Sequence, residues 1–287
     1  MSVRVTWWGH ATVTISIGGY RVLTDPLLVG RLAHLRRLGG PLPGPAASRA
    51  DVVLISHLHA DHLHLPSLSR LAPAVTLVAP HGTAAVLRAA GRRWHARLLE
   101  VGPGDVVEVG PGNGIEVGWG DAGDVAAGDA AQRSGALRIT AVPARHPGRR
   151  HVRSRFRGPA LGYLLHHGAD SVWFAGDTGL FAGMGALGPV QVGLVPVGGW
   201  GPTLGPEHLD PAGAAEAVRL VGVRDAVPIH YGTFWPMGLR HVQPATYHSH
   251  FLSPGQRFAE ELARACPAAH AHVLAAGEHV ILGPDAP

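Results

Sequence analysis

The sequence predicts an α/β fold in which two mixed β-sheets pack face to face with helices on the outside. Three observations carry that prediction. Short aliphatic and β-branched runs recur along the whole chain and read as buried or half-buried strands. The 40 Gly and 24 Pro supply the tight turns that many short strands need. Only a few segments carry a helical pattern, and they flank strand-rich halves, which is the order of a layered fold.

Each element follows from local pattern. Val3 to Trp8, Thr12 to Ile17 and Tyr20 to Thr24 read as strands, with Gly18 and Gly19 at a hairpin turn. Pro26 to Arg49 is Gly-, Pro- and Arg-rich and reads as a connection, long enough to be either functional or partly disordered. Strand Asp51 to Ile55 follows, then a helix over Pro66 to Leu71, a strand over Val75 to Val78 and a helix over Thr83 to Ala90. Strands are expected at Leu98 to Val101, Val106 to Val109, Ile115 to Trp119, Leu137 to Val142, Leu161 to His166 and Val172 to Ala175. Asp121 to Ser134 reads as an exposed loop. Val192 to Val197 and Ala226 to Ile229 are buried strands on either side of a helix over Pro211 to Leu220, with Asp210 as N-cap and Pro211 at the first position. Pro254 to Ala265 reads as the last helix. Ala271 to Leu274 and His279 to Leu282 read as a closing hairpin around Gly277. With no fixed-period repeat and no clean linker, residues 1–287 read as one domain.

Composition excludes several classes. All 24 basic residues are arginine and the formal net charge is only +4, and the arginines are scattered apart from one cluster, so no nucleic-acid stripe is expected. One cysteine, Cys266, excludes an intrachain disulfide and a cysteine-only metal site. The amino terminus lacks a charged region followed by an apolar one, and no apolar span approaches the ~20 residues that cross a bilayer. A cytoplasmic protein without stable membrane insertion is the expectation, and a homo-oligomer is compatible with it.

The densest chemistry lies in His57-Leu58-His59-Ala60-Asp61-His62, directly after the apolar run Val52 to Ile55. Nitrogen and oxygen ligands at this spacing suit two adjacent zinc-like ions. With 20 His in the chain, a histidine-rich surface loop is the alternative. Three more strands end in ligand-type residues: His146, Asp177 in Gly-Asp-Thr, and His230 in Pro-Ile-His-Tyr-Gly-Thr. Strand ends on one sheet edge can converge from distant sequence.

This ordered series resembles the metallo-β-lactamase superfamily. Trp8-Gly9-His10-Ala11-Thr12 and Leu23-Thr24-Asp25-Pro26 are similar to the amino-terminal signature of a branch containing ascorbate-6-phosphate lactonases and N-acylphosphatidylethanolamine-hydrolysing phospholipase D. The resemblance implies an αββα four-layer sandwich with the metals at one edge. It implies that His57, His59 and His146 hold one zinc, that Asp61, His62 and His230 hold a second, and that Asp177 bridges them. Histidine at position 59 favours zinc over di-iron redox chemistry, with manganese or iron as alternatives.

Two zinc ions roughly 3.5–4 Å apart would share a hydroxide that attacks a phosphodiester or ester-like bond. The alternatives are a lactonase or amide hydrolase on the same metals, and a non-catalytic metal- or ligand-binding member. A nuclease is disfavoured because no basic arm is present.

Further candidates carry two readings each. Asp25 orients an imidazole or makes an Asp-Pro turn. His10 reaches the site or caps a hairpin. His208, in a His-x-Asp-Pro segment similar to that branch, donates a proton or leads into a helix cap. Tyr231 and Thr233 line the pocket or pack. Arg145, Arg149, Arg150, Arg153, Arg155 and Arg157 recognise an anionic small-molecule substrate or form a solvated loop. Gly198 to Gly201 suggests close backbone approach, with Trp200 as a wall. His241, His248 and His250 read as surface residues. Pro147 departs from the phospholipase pattern, which has Trp there, and no apolar docking helix is evident.

Overall fold

In the computed structural model, which describes residues 2–73, 75–91, 97–110, 115–118, 135–199 and 204–283, the chain opens with β1 (Val3–Gly9), β2 (Thr12–Ile17) and β3 (Tyr20–Thr24). Next come β4 (Arg31–Leu32), β5 (Leu35–Arg37), β6 (Val52–Leu54), α1 (Leu65–Leu68), β7 (Thr76–Pro80), α2 (Thr83–Ala89) and β8 (Leu98–Val101). The middle of the chain is β9 (Val106–Val109), β10 (Ile115–Gly118), β11 (Leu137–Pro143), β12 (Leu161–His167), β13 (Asp170–Phe174) and β14 (Val190–Pro196). It closes with α3 (Pro211–Val221), β15 (Val223–Ile229), β16 (Phe234–Pro236), α4 (Leu239–Val242), α5 (Pro244–Tyr247), α6 (Pro254–Ala265), β17 (His270–Ala271) and β18 (His279–Leu282).

One sheet has seven strands in the order β18-β1-β2-β3-β6-β7-β8, and the other has eight in the order β10-β9-β11-β12-β13-β14-β15-β17. Both are mixed. β3, β6, β7 and β8 run parallel, as do β13, β14, β15 and β17. Side-chain alternation assigns the faces. Val52, Leu54 and Val78 join the core shared with β11 to β15, whereas Val53, Ile55, Leu77 and Ala79 pack with Leu68, Val86 and Leu87 on the helical side. Strands buried on both faces read as continuous apolar runs, which is why Val52 to Ile55 stands out in sequence. On the opposite outer layer, α3 and α6 pack together and against β14, β15 and β17. The result is the predicted αββα sandwich.

The caps behave as anticipated. Asp210 accepts from the Gly213 N–H at 2.8 Å, Pro211 opens α3, and Gly222 closes it at φ +71°, a left-handed conformation that glycine adopts freely. β2, β3, β8, β9, β18 and α6 keep their predicted bounds, and the other predicted strands agree within three residues at each end.

Two expectations are corrected. Pro26 to Arg49 is not structureless: it contains β4, β5 and a 3₁₀ turn at Pro45–Ser48, and β5 pairs with β16 in a three-stranded sheet. Strands of two or three residues are too short to show a period, and β5 finds its second partner, β16, some 200 residues away, so nothing local announces them. The last two strands do not form a hairpin either. β17 joins β15 in the second sheet and β18 joins β1 in the first, so the chain crosses between layers near Gly277. The loop Asp121 to Ser134 and Trp200 lie outside the described residues.

Candidate metal centre

Every candidate ligand follows a strand running in one direction. β1 and β3 share a direction because β2 is antiparallel to both, and β6 is parallel to β3. In the second sheet β11 runs with β13, since β12 opposes each, and β14 and β15 continue that direction. His10, Asp25, the His57 to His62 loop, His146, Asp177, His208 and His230 therefore gather beyond the carboxyl ends of the strands, where α/β sheets place their sites.

The residues fall into overlapping groups whose ligand atoms all lie within 4.8 Å of one another: His57, His59 and His146; His10, Asp61, His62 and His230; His57, His62 and Asp177; and His146, Asp177 and His208. In the first group His57 Nε2 stands 2.8 Å from His59 Nδ1, which stands 3.2 Å from His146 Nε2. In the second, His62 Nε2 lies 3.3 Å from His230 Nε2 and 3.5 Å from Asp61 Oδ2. Asp177 Oδ2 sits 3.2 Å from His62 Nε2, 3.2 Å from His230 Nε2 and 4.0 Å from His146 Nε2, facing both groups. Gly176 makes that approach possible. Its φ is +62°, and a Cβ there would lie 2.8 Å from the Ser56 Cβ and 2.7 Å from the Leu161 carbonyl oxygen.

The outer nitrogens are tied down, which fixes the tautomers. His62 Nδ1–H donates to Asp25 Oδ2 at 2.7 Å, His146 Nδ1–H to the Glu207 carbonyl at 3.0 Å, and His230 Nδ1–H to the Gly198 carbonyl at 3.0 Å. The Ser56 hydroxyl donates to Asp25 Oδ2 at 2.6 Å and accepts from His57 Nδ1–H at 2.9 Å. Asp25 Oδ1 also accepts the Ser56 N–H at 2.7 Å. Asp25, wholly buried, is thus a hub beneath two of the inward-facing imidazoles and not merely a turn residue.

Electrostatics favour neutral imidazoles around buried carboxylates. Burial lowers His57 well below the usual histidine range, takes His59 down to about 4 and His230 to about 3, and lowers His146. His62 goes the other way: burial opposes its charge, but the Asp177, Asp61 and Asp25 carboxylates outweigh it and raise the pKa well above that range. Asp177 is held well below the ordinary carboxylate value despite burial, by His230 and His62, and Asp61 likewise by His62 and His10. Lone pairs of neutral imidazoles facing each other at 2.8 Å (His57 and His59) and 3.2 Å (His59 and His146) repel unless a proton or another positive group lies between them. A tetrahedral edge for zinc bonds of ~2.0–2.1 Å is about 3.3 Å. Asp177 Oδ1 is buried without a hydrogen-bond partner. The donor set fits divalent metal.

A family model described as the beta-lactamase superfamily domain matches residues 20–231. The chain belongs to that superfamily. A UPF0173 metal-dependent hydrolase of Methanopyrus kandleri is 30% identical over 240 residues, covering 82% of this chain and 86% of the relative. An N-acyl-phosphatidylethanolamine-hydrolyzing phospholipase D of Caenorhabditis elegans is 27% identical over 252 residues, covering 81% of this chain and 64% of that protein. In fold, the metallo hydrolase Igni18 of Ignicoccus hospitalis superposes with a TM-score of 0.63 over 99% of both chains at 22% identity. As a member of the metallo-β-lactamase superfamily, the protein is a metal-dependent hydrolase.

Around this superfamily centre the remaining candidates separate. His208 Nε2 lies 3.8 Å from Asp177 Oδ2 with its side chain 28% exposed, on the open side of the cluster. Thr233 accepts the His10 N–H through its hydroxyl at 2.7 Å, and Tyr231 stacks on Trp7 at 5.1 Å, so both support the site from beneath instead of lining a pocket.

The arginine cluster divides. Arg150 Nη1 donates to the carbonyls of Leu58 (2.7 Å), His59 (3.3 Å) and Leu63 (2.7 Å), clamping the ligand loop. Arg145 donates to the Leu180 carbonyl at 3.0 Å, and Arg155 lies over the Phe156 ring. Arg149, Arg153 and Arg157 are exposed on a hairpin closed by the Gly158 N–H to Gly148 carbonyl bond.

His241 and His248 are on the surface, but His250 is half-buried. With Gly198, Leu204, Pro254 and Arg257 it borders a cavity of about 270 Å³ beyond the end of β14. Sequence reasoning missed Arg257 and the inward turn of Arg150, because neither sits in a motif and each role depends on tertiary neighbours.

Proposed function

We propose that the protein is a dinuclear zinc hydrolase that cleaves a phosphodiester, or a related ester-like bond, in a small anionic substrate. The observation that carries the reading is the pair of ligand groups, His57/His59/His146 and Asp61/His62/His230, with Asp177 Oδ2 within 4.0 Å of both. A zinc pair held there would acidify water and polarise the bond under attack. Asp177 would hold the two halves together, and Asp25 would keep His62 in the tautomer that presents Nε2. His208, partly exposed beside Asp177, is positioned to hydrogen-bond or protonate the departing oxygen. The cavity beside Gly198 would take the part of the substrate that does not react. Its lining is mixed: Leu204 and Pro254 are apolar, Ser249, His250 and the Asp210 cap residue are polar, and Arg257 offers a cation with no ion pair among the described residues.

The phospholipase named among the relatives supports a phosphorus ester as the bond. No helix of the described residues is long and apolar enough to cross a membrane. A small-molecule substrate met in the cytoplasm by a single catalytic domain completes the reading. Manganese or iron in place of zinc would be accepted by the same donors.

The test is reconstitution. Protein stripped of metal and given zinc regains hydrolysis of bis(4-nitrophenyl) phosphate at two ions per chain, and His59→Ala does not. A lactone and an amide assayed beside it separate the acyl alternatives. Activity that survives both chelation and His59→Ala sinks the proposal, and a full complement of metal without turnover on any of the three favours a ligand-binding role.

A further inference from the structure

His10 differs from every other histidine of the cluster. His57, His62, His146 and His230 each spend their outer nitrogen on an acceptor and turn the other inward. His10 is buried, yet neither of its nitrogens has a hydrogen-bond partner. Its Nε2 lies 3.2 Å from Asp61 Oδ2 without the alignment of a hydrogen bond. The ring meets His230 edge-on at 4.2 Å between centroids and His62 at 5.0 Å. A buried imidazole with both nitrogens unpaired is costly unless something else satisfies it.

The backbone argues that the ring is aimed. His10 has φ +53°, a left-handed conformation uncommon outside glycine. Three hydrogen bonds hold it there: its N–H donates to the Thr233 hydroxyl at 2.7 Å, and its carbonyl accepts from Trp7 Nε1–H at 2.8 Å and from the His230 N–H at 3.0 Å. Strain that the surroundings over-determine marks a side chain whose direction matters. Asp25 at φ +34° and His230 at φ +63° share the feature.

We infer that His10 is a direct ligand of the second ion, through Nε2. The inference rests on the two-ion reading and extends it. The 3.2 Å between His10 Nε2 and Asp61 Oδ2 matches the donor spacings already described in the same group, 3.5 Å from Asp61 to His62 and 3.3 Å from His62 to His230. Those spacings are the edges of one coordination polyhedron. The second subsite then offers His10, Asp61, His62, His230 and the shared Asp177, whereas the first offers His57, His59, His146 and the same Asp177. The first subsite would thus have one protein ligand fewer than the second, with His208 partly exposed beside the shared Asp177.

Metal counting by mass spectrometry, with chelator competition, tests this without recourse to turnover. Wild type is expected to bind two zinc ions. His10→Asn, chosen because asparagine tolerates the left-handed backbone, should weaken one of the two by about tenfold or more and leave the other unchanged. It should also shift the cobalt(II) ligand-field bands of that subsite. His10→Gln, which offers a hydrogen-bonding amide near Asp61 but no imidazole, should not restore either signal. Two ions bound with wild-type affinity and an unchanged cobalt spectrum in His10→Asn overturn the inference, as does restoration by glutamine. A wild type that binds only one ion breaks the two-ion reading instead. Should the variants fail to fold, a crystal structure of zinc-loaded wild type decides: an Nε2–zinc distance of ~2.0–2.1 Å supports the inference, and a distance beyond bonding reach ends it.

Discussion

The two halves of the metal centre are built from the same residue types but differ in solvent contact and charge. In the first half only His59 is partly exposed, His57 and the His146 side chain (1% exposed) being buried; in the second His10, His62 and His230 are buried and Asp61 keeps a 13% exposed side chain. The first half is three imidazoles lowered by burial. The second places His62 among three carboxylates, Asp177, Asp61 and Asp25. An ion in the second half would meet more negative charge, so it should be held more tightly and exchange more slowly. The comparison teaches that charge, more than burial, separates the two halves.

The largest effect should come from removing what the halves share. Asp177→Ala should lower kcat/KM by about 10³-fold, at the upper end of losses for a single electrostatic group, and reduce bound zinc in both halves. Loss confined to one ion by metal analysis would break the comparison. Next is Asp25→Asn, which keeps the volume but loses the charge beneath His62. It should weaken the second ion by about 10–100-fold, read by chelator competition, while zinc affinity at the first half moves far less. Smaller again is Arg257→Ala: KM for an anionic phosphodiester should rise by about tenfold, the cost of one charged pair, with kcat and zinc content unchanged. An equal fall in kcat would place Arg257 in the chemistry.

The smallest effect concerns the metal-free protein and pH. His57, His59, His146 and His230 have folded values below the usual 6.5, with His59 at about 4 and His230 at about 3. The unfolded chain therefore binds more protons below pH ~6.5, so stability falls as pH drops through that window. His62, raised well above 6.5, opposes them with stability that is full below ~6.5 and fades at higher pH. A melting temperature of the metal-free protein that decreases from pH 7 to pH 4, and a zinc-loaded protein that resists until the ions are lost, is the expected pair of curves.

Much of this centre was legible in the chain. Ligand-type residues placed directly after apolar strands are a local pattern, and the sheet brings those strand ends together without further instruction, so His57 to His62, His146, Asp177 and His230 could be read together. Asp25, His10 and His208 were visible as candidates only, because the sequence does not say which way a turn residue points. What stayed hidden is long-range. β5 finds β16 across the chain, and β17 and β18 part to opposite sheets, choices made by edge availability and not by composition. The split among the arginines was equally silent: six similar residues in thirteen positions, of which Arg150 alone turns inward to the ligand loop.

That inward turn separates two kinds of change in the molecule. The hairpin from Gly148 to Gly158 is riveted to the ligand loop at one guanidinium, and its outer residues, Val152 with 89% exposure among them, touch little else. Substitutions at the tip can alter what approaches the centre while the rivet keeps the ligand geometry intact. Recognition can therefore diversify there without re-solving the problem of holding metal.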